Sequence, residues 1–245
     1  WGKQGMLVEG FENIPPFNCL YNYPYYNDFM TRLGYEKECD WVQYKVKADM
    51  DVPEKMHAIA DRVQERYHFV EGDIERLKKD KSMIREFFRI YNESFSTSVL
   101  NFIPFTQEEI DMEAAQSIPM LNKDLCTFLL SQEGEIAAFG ISFPSISKAL
   151  QKAKGRLFPF GWYHLLKALR SYDTIDLMIN GAAPDWQNKG VSAVYYRAMA
   201  DKAIEVGERW AISNPQIESN SAVNIWKDYE HEPFMRRRCY IKKIK

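Results

Sequence analysis

No stretch of the 245-residue sequence stays apolar for the ~20 residues needed to span a bilayer, and no signal peptide opens it. The expectation is a chain with no membrane partner. Cysteine is scarce: Cys19, Cys39, Cys126 and Cys239 lie far apart and form no C-x-x-C pair. That spacing gives no zinc site and no disulfide framework, so no metal is expected and a reduced, cytoplasmic setting is. An excess of charge of one sign is missing too. The 32 Lys and Arg nearly balance the 34 Asp and Glu, for a net charge of -2. This argues against a general electrostatic grip on nucleic acid. No Ser-His-Asp or Cys-His set stands out, so a covalent enzyme intermediate is not expected. The sequence opens at Trp1 and not at Met, which leaves room for residues upstream.

Aromatic residues are plentiful, with 15 Phe, 14 Tyr and 6 Trp, which suits a lined pocket and a bulky core equally. Leu7 to Gly10 and Trp41 to Val46 read as strands around a helix from Tyr25 to Leu33, which Gly34 ends. Asp49 to Pro53 is a polar boundary, and a connecting helix follows to Tyr67. Lys81 to Phe95 places Ile84, Phe87, Phe88 and Tyr91 on one helical face. Thr106-Gln107-Glu108-Glu109 is a capping box that starts another helix. Leu125 to Ser131 and Ile136 to Phe143 flank Gln132 to Glu135 as a hairpin. Ser145 to Tyr172 is a long insertion with Phe158, Phe160, Trp162 and a helical tail from Tyr163 to Leu169. After it come a strand (Thr174 to Asn180), a loop (Gly181 to Gly190), a helix (Val191 to Val206), a strand (Trp210 to Ser213), a short helix (Ala222 to Tyr229) and a last strand (Arg237 to Ile241). The order predicts an α/β fold with a mixed sheet.

The segment Gln187-Asn188-Lys189-Gly190-Val191-Ser192 sits between a strand and a long helix. A glycine there lets backbone N–H groups approach an anion, and the first helical turn with its dipole can hold phosphate oxygens without a metal. Taken alone, the six residues fit an ordinary left-handed turn before a helix better than a phosphate site. Together with the element order, they resemble the pyrophosphate loop of the GNAT family of N-acetyltransferases, usually Gln/Arg-x-x-Gly-x-Gly/Ala. Ser192 stands where a second small residue is usual. The resemblance covers about Asp73 to Lys245. It implies a mixed, mostly antiparallel central sheet flanked by helices and an acyl-CoA donor, with acetyl-CoA first.

By that resemblance, Gln187, Asn188, Lys189, Gly190, Val191, Ser192 and Ala193 cradle the pyrophosphate. Leu177, Met178, Ile179 and Asn180 offer backbone groups to the pantetheine arm, and Asn220 and Trp226 belong to the same cofactor site. Family members often carry Asn-x-x-Ala-x-x-x-Tyr, whose Tyr protonates the leaving thiolate. Counted from Ala222, this chain has Ser219 and Trp226 at those two ends, and an indole cannot be that acid. Tyr229 is the substitute candidate. Asp176, Glu218 and Glu135 are candidate bases, as is His164 in the insertion. Arg236 to Arg238 with Lys242, Lys243 and Lys245 either attract an anionic acceptor or guard an edge strand.

Residues 1–50 resemble the end of a GNAT domain, with a helix closing on Gly-Tyr before a strand. They are expected to be the remnant of an upstream repeat, followed by a connector (51–72) and the GNAT domain proper (73–245). Phe17, Tyr21, Tyr25, Tyr26 and Phe29 are expected to supply that remnant's apolar contact. The reading is an acyltransferase moving an acyl group directly to the amine of a small molecule or peptide. Two alternatives stand beside it: a non-catalytic acyl-CoA-binding module, and a tandem-GNAT aminoacyl transferase.

Overall fold

The computed structural model describes residues 5–49, 51–99 and 102–244. Its elements in chain order are β1 (Met6–Glu9), α1 (Tyr25–Arg32), β2 (Glu36–Lys47), α2 (Glu54–Tyr67), β3 (Val70–Glu71), α3 (Ile74–Leu77), α4 (Lys81–Ser98), α5 (Gln107–Ser117), β4 (Cys126–Leu130) and β5 (Ile136–Pro144). They continue with α6 (Ser147–Lys152), α7 (Gly161–Arg170), β6 (Thr174–Ala182), α8 (Val191–Val206), β7 (Trp210–Ile212), β8 (Gln216–Ile217) and β9 (His231–Ile241). Short 3-10 turns occupy Ile118–Met120, Pro184–Trp186 and Ser221–Asp228. The sheet is mixed and mostly antiparallel.

The chain divides into two compact units, the first made of Trp1–Lys47, Pro144–Asp176 and Trp210–Lys245. In it β9 lies between β1 and β2, and β2 pairs on its other side with β7 and β8, all antiparallel. The parallel pairing of β6 with β7 matches Thr174–Asp176 to Trp210–Ile212. Leu7, Val42, Val46, Ile175, Ala211, Trp226 and Met235 are buried here.

Alternation along β9 sorts its three arginines. Arg237 points inward and is 1% exposed, donating to the Leu20 carbonyl at 2.5 Å and to Gln43 Oε1 at 3.4 Å. Arg236 and Arg238 point the other way, onto Asp40, at 3.3 and 2.8 Å. Because β9 is paired on both sides, guarding an edge is not the role of this basic run; Lys245 lies outside the described residues. Burial would raise the pKa of Asp40, but Arg238 and Lys37 together hold it down to about 2.

The aromatic residues of the first segment do not supply the expected apolar contact. Tyr21, Tyr25, Tyr26 and Phe29 are 42–48% exposed and pack in a ladder, with Tyr25 and Tyr26 stacked at 4.7 Å. The buried contact of this segment comes instead from Leu7, Val42 and Val46.

The second unit is Ala48–Phe143 with Leu177–Arg209. Its strands run in the order β3, β4, β5 and the distal part of β6. Its core gathers Phe87, Phe88, Ile90, Phe128, Phe139 and Met178 with their neighbours. The Phe87 ring meets Phe139 edge-on at 4.8 Å, the arrangement aromatic quadrupoles favour. The helix starts follow their capping residues: Asp80 accepts from Ser82 and Met83 N–H, and the Thr106–Glu109 capping box is complete.

Candidate functional site

β6 and α8 are joined by the segment Ala183 to Gly190, and this connection sets the geometry of the predicted phosphate loop. Ala183 N–H bonds to the Ala137 carbonyl at 2.9 Å, which fixes the loop's first residue. Gln187 reaches back to the Ala182 carbonyl at 3.2 Å. Asn188 takes a left-handed φ of 59°, and Gly190 follows at φ 80° as the N-cap of α8. No side chain caps this 16-residue helix. Its first turn therefore presents backbone donors and the positive end of the helix dipole beside Asn188, Lys189 and Ser192, which are exposed. Lys189 Nζ lies 5.0 Å over the Trp186 ring. Val191 and Ala193 are buried and anchor the turn.

Gly190 has a second reason to be glycine. A Cβ at this position would come within 3.1 Å of Val63 and 3.3 Å of Ile59, both on α2. The glycine thus permits both the positive φ and the close approach of α2 to the helix start.

Leu177 to Asn180 form the stretch of β6 leading to that loop, and Met178 and Ile179 are buried there. Asn180 Nδ2 donates to the hydroxyls of Tyr195 and Tyr196, each at 2.8 Å, tying the strand to α8. The second unit therefore brings together the predicted pyrophosphate and pantetheine residues.

The remaining predicted residues belong to the first unit, except Glu135, which lies in the second. Asp176 is 1% exposed, and among the described residues neither of its oxygens has a partner at full hydrogen-bond geometry. Burial pushes its pKa up to about 6, and the nearby Ser145 side chain opposes that only in part. Glu218 is held by Lys37 and by Arg236, the latter at 2.9 Å. Glu135 is exposed in the hairpin turn. Trp226 is buried, and its indole N–H donates to Gln216 Oε1 at 2.7 Å. Tyr229 is half-buried, with its ring 6.0 Å from that of Trp226. Asn220 closes a turn, its N–H bonded to the Ile217 carbonyl at 2.9 Å. His164 lines a cleft of about 880 Å³ with Lys45, Lys152, Tyr163, Lys167 and Asp173. Beyond the aromatic insertion nothing in the sequence pointed to this cleft, because Lys45 comes from a strand far away in the chain. Among the described residues no group of three His, Cys, Asp or Glu side chains converges as a metal site.

No family model matches the chain. It is 24% identical to protein YghO of Escherichia coli over 253 residues, covering 99% of this chain and 63% of that protein. It is 28% identical to the bacterial ceramide synthase of Caulobacter vibrioides over 171 residues, covering 68% of this chain and 42% of the relative. The chain thus spans less than two thirds of either curated relative. Among solved structures, a GCN5-related glucosamine N-acetyltransferase region from a fungal multi-domain β-N-acetylglucosaminidase matches with a TM-score of 0.56 at 10% identity, over 88% of this chain and 22% of that one. A tandem GNAT protein from the clavulanic acid biosynthesis pathway matches with a TM-score of 0.53 at 11% identity, over 91% of this chain and 60% of that one. The fold of this chain is the GNAT fold.

Proposed function

We propose that the chain transfers an acyl group from acyl-CoA to an amine, directly and without a covalent enzyme intermediate. The observation that carries this reading is the start of α8: a glycine in the left-handed region, no side-chain cap, and exposed Asn188, Lys189 and Ser192 around open backbone donors. That arrangement suits a pyrophosphate. CoA would supply the activated thioester. The amine nitrogen attacks the thioester carbonyl, the C–N bond forms, the C–S bond breaks, and the thiolate leaves and takes a proton. A base must first remove a proton from the ammonium form.

Among the three carboxylates nominated from sequence we assign that role to Asp176. Glu218 is occupied by two cations and Glu135 stands in a solvent-facing turn, whereas burial tunes Asp176 to hold or release a proton near neutral pH. Tyr229 is the proposed acid. The similarity to a protein named ceramide synthase favours amide formation, since a ceramide is an N-acylated long-chain amine, and it puts long-chain amines in the acceptor panel beside small amines and peptides. A CoA donor places the reaction in the cytoplasm, with acetyl-CoA the first donor to try. Residues 1–50 we read as the end of an upstream repeat.

A second reading has its own support. Trp226 stands at the position where a tyrosine acid is usual, and its N–H is engaged by Gln216. This favours a module that binds acyl-CoA without turnover. Calorimetry with CoA, with and without chelator, tests the shared claim: metal-independent binding is expected, and none at millimolar CoA removes both readings. Mass spectrometry of products from acetyl- and longer acyl-CoAs with the amine panel separates them, because binding without any amide product leaves only the second.

A further inference from the structure

The stretch between β5 and β6 carries cations with no carboxylate among them. From Ile136 to Tyr172 there is no Asp or Glu, while Lys148, Lys152, Lys154, Arg156, Lys167 and Arg170 supply six cations in a molecule of net charge -2. All six are exposed, and none pairs with a carboxylate among the described residues. Large apolar side chains are interleaved with them. Phe158 is 81% and Phe160 71% exposed at the tip of the loop before α7. On α7 itself Trp162, Leu166 and Leu169, spaced as one helical stripe, are exposed together, while Gly161 and the half-buried His164, Leu165 and Ala168 face the protein.

This surface is built and not a loose tail. Trp162 N–H bonds to the Leu157 carbonyl at 2.9 Å, and a Cβ on Gly161 would strike the Arg156 carbonyl at 1.8 Å, so the loop closes tightly on the helix start. The Trp162 indole N–H donates to the Pro159 carbonyl at 2.9 Å. With its one donor satisfied internally, the ring can enter an apolar phase without stranding a polar group.

We propose that this face docks on an anionic lipid surface, with Phe158, Phe160 and Trp162 entering the headgroup region and Lys154, Arg156 and Arg170, which stand outside the cleft, meeting lipid phosphates. The chemistry selects this partner over others. A second copy of the same face would oppose cations to cations. Nucleic acid would use the charges and stack on the aromatic rings, but Leu166 and Leu169 offer no stacking face. A helix with an apolar stripe flanked by Lys and Arg is the pattern of an interfacial helix. No helix among the described residues is long and apolar enough to cross a membrane, and docking needs none. The inference goes beyond the acyl-transfer reading and does not depend on it.

Co-sedimentation of the full chain with vesicles tests it, using phosphatidylcholine alone and phosphatidylcholine with about one third phosphatidylglycerol, at about 0.15 M salt. Partition onto the anionic vesicles is expected to exceed that onto neutral ones by about tenfold or more. Phe158→Ser with Phe160→Ser should lower it by about tenfold while circular dichroism and Tm stay unchanged, since both side chains are already in solvent. Lys154→Glu with Arg156→Glu should remove the preference for anionic lipid. No partition of the parent chain onto anionic vesicles overturns the proposal. So does a Phe158→Ser/Phe160→Ser chain that binds like the parent, with a single-stranded oligonucleotide competing, which would identify a polyanion site. A concentration-dependent mass that the same double variant abolishes would instead identify a second copy of the chain and overturn it as well.

Discussion

Asp176, buried in the first unit, sets the clearest pH signature. Its folded pKa of about 6 lies above the ordinary aspartate value of 3.8, so the folded state holds the proton more tightly. The contribution to stability is fully present below about pH 4 and is lost as pH rises through 6. Asp176→Asn should therefore raise stability at pH 8, by about 2–3 kcal/mol, and give little gain at pH 4. Thermal melts at both pH values check this. If Asp176 is the base, the same variant also loses turnover and the acid limb of the pH–rate profile. Asp40 has the opposite sign. Held down to about 2 by Arg238 and Lys37 against the cost of burial, it contributes above pH 4, and that contribution is lost as pH falls towards 2. Arg238→Gln should flatten that acid limb in a denaturation series. At the proposed phosphate loop, Gly190→Val disturbs the fold and the loop together, because α2 occupies the space of a Cβ. Lys189→Glu is the cleaner probe. It is exposed, so Tm should not move while CoA affinity falls by about tenfold, read by calorimetry.

The element best legible in the sequence was α8, whose apolar face and flanking glycines gave the same limits, Val191 to Val206, that the structure has. The Thr106 capping box and the β4–β5 hairpin were legible for the same reason: local chemistry decides them. β9 was not. It starts at His231, six residues before the expected Arg237, because pairing with β2 overrides the charge and Pro233 of its first half. The short elements α3, β3, α6 and β8 escaped for lack of any period long enough to read. In the site, the loop and Asp176 could be nominated from sequence, but the burial of Asp176, the ion pairs of Glu218 and the approach of α2 to Gly190 depend on distant segments. The 3-10 stretch Ser221–Asp228 shows the same limit, since Trp226 was identified there as unable to act as an acid but its bond to Gln216 was not legible. Trp226→Phe should leave any turnover within about tenfold, ~1.4 kcal/mol in barrier. It should lower stability by about 1–3 kcal/mol, because Gln216 loses a buried donor; chemical denaturation and initial rates measure the two effects separately.

At the scale of the molecule, the first unit is assembled from three stretches of chain, with the second unit's residues inserted between them. Neither unit can be cut out as a contiguous piece that keeps all its strands. A chain beginning at Ala48 would leave β9 and β7 without β2, exposing Met235 and unpaired backbone groups, and it should be recovered as aggregate where the full chain stays in solution. The pairing of Glu36 with Ile241 has a consequence in time. About 200 residues of chain separate β2 from the strand that completes its pairing. At roughly 5–20 residues per second β2 waits about 10–40 s, with a sheet edge open, for β9 to be synthesised. The yield of this unit in the cell should therefore depend on whatever shelters that edge in the interval.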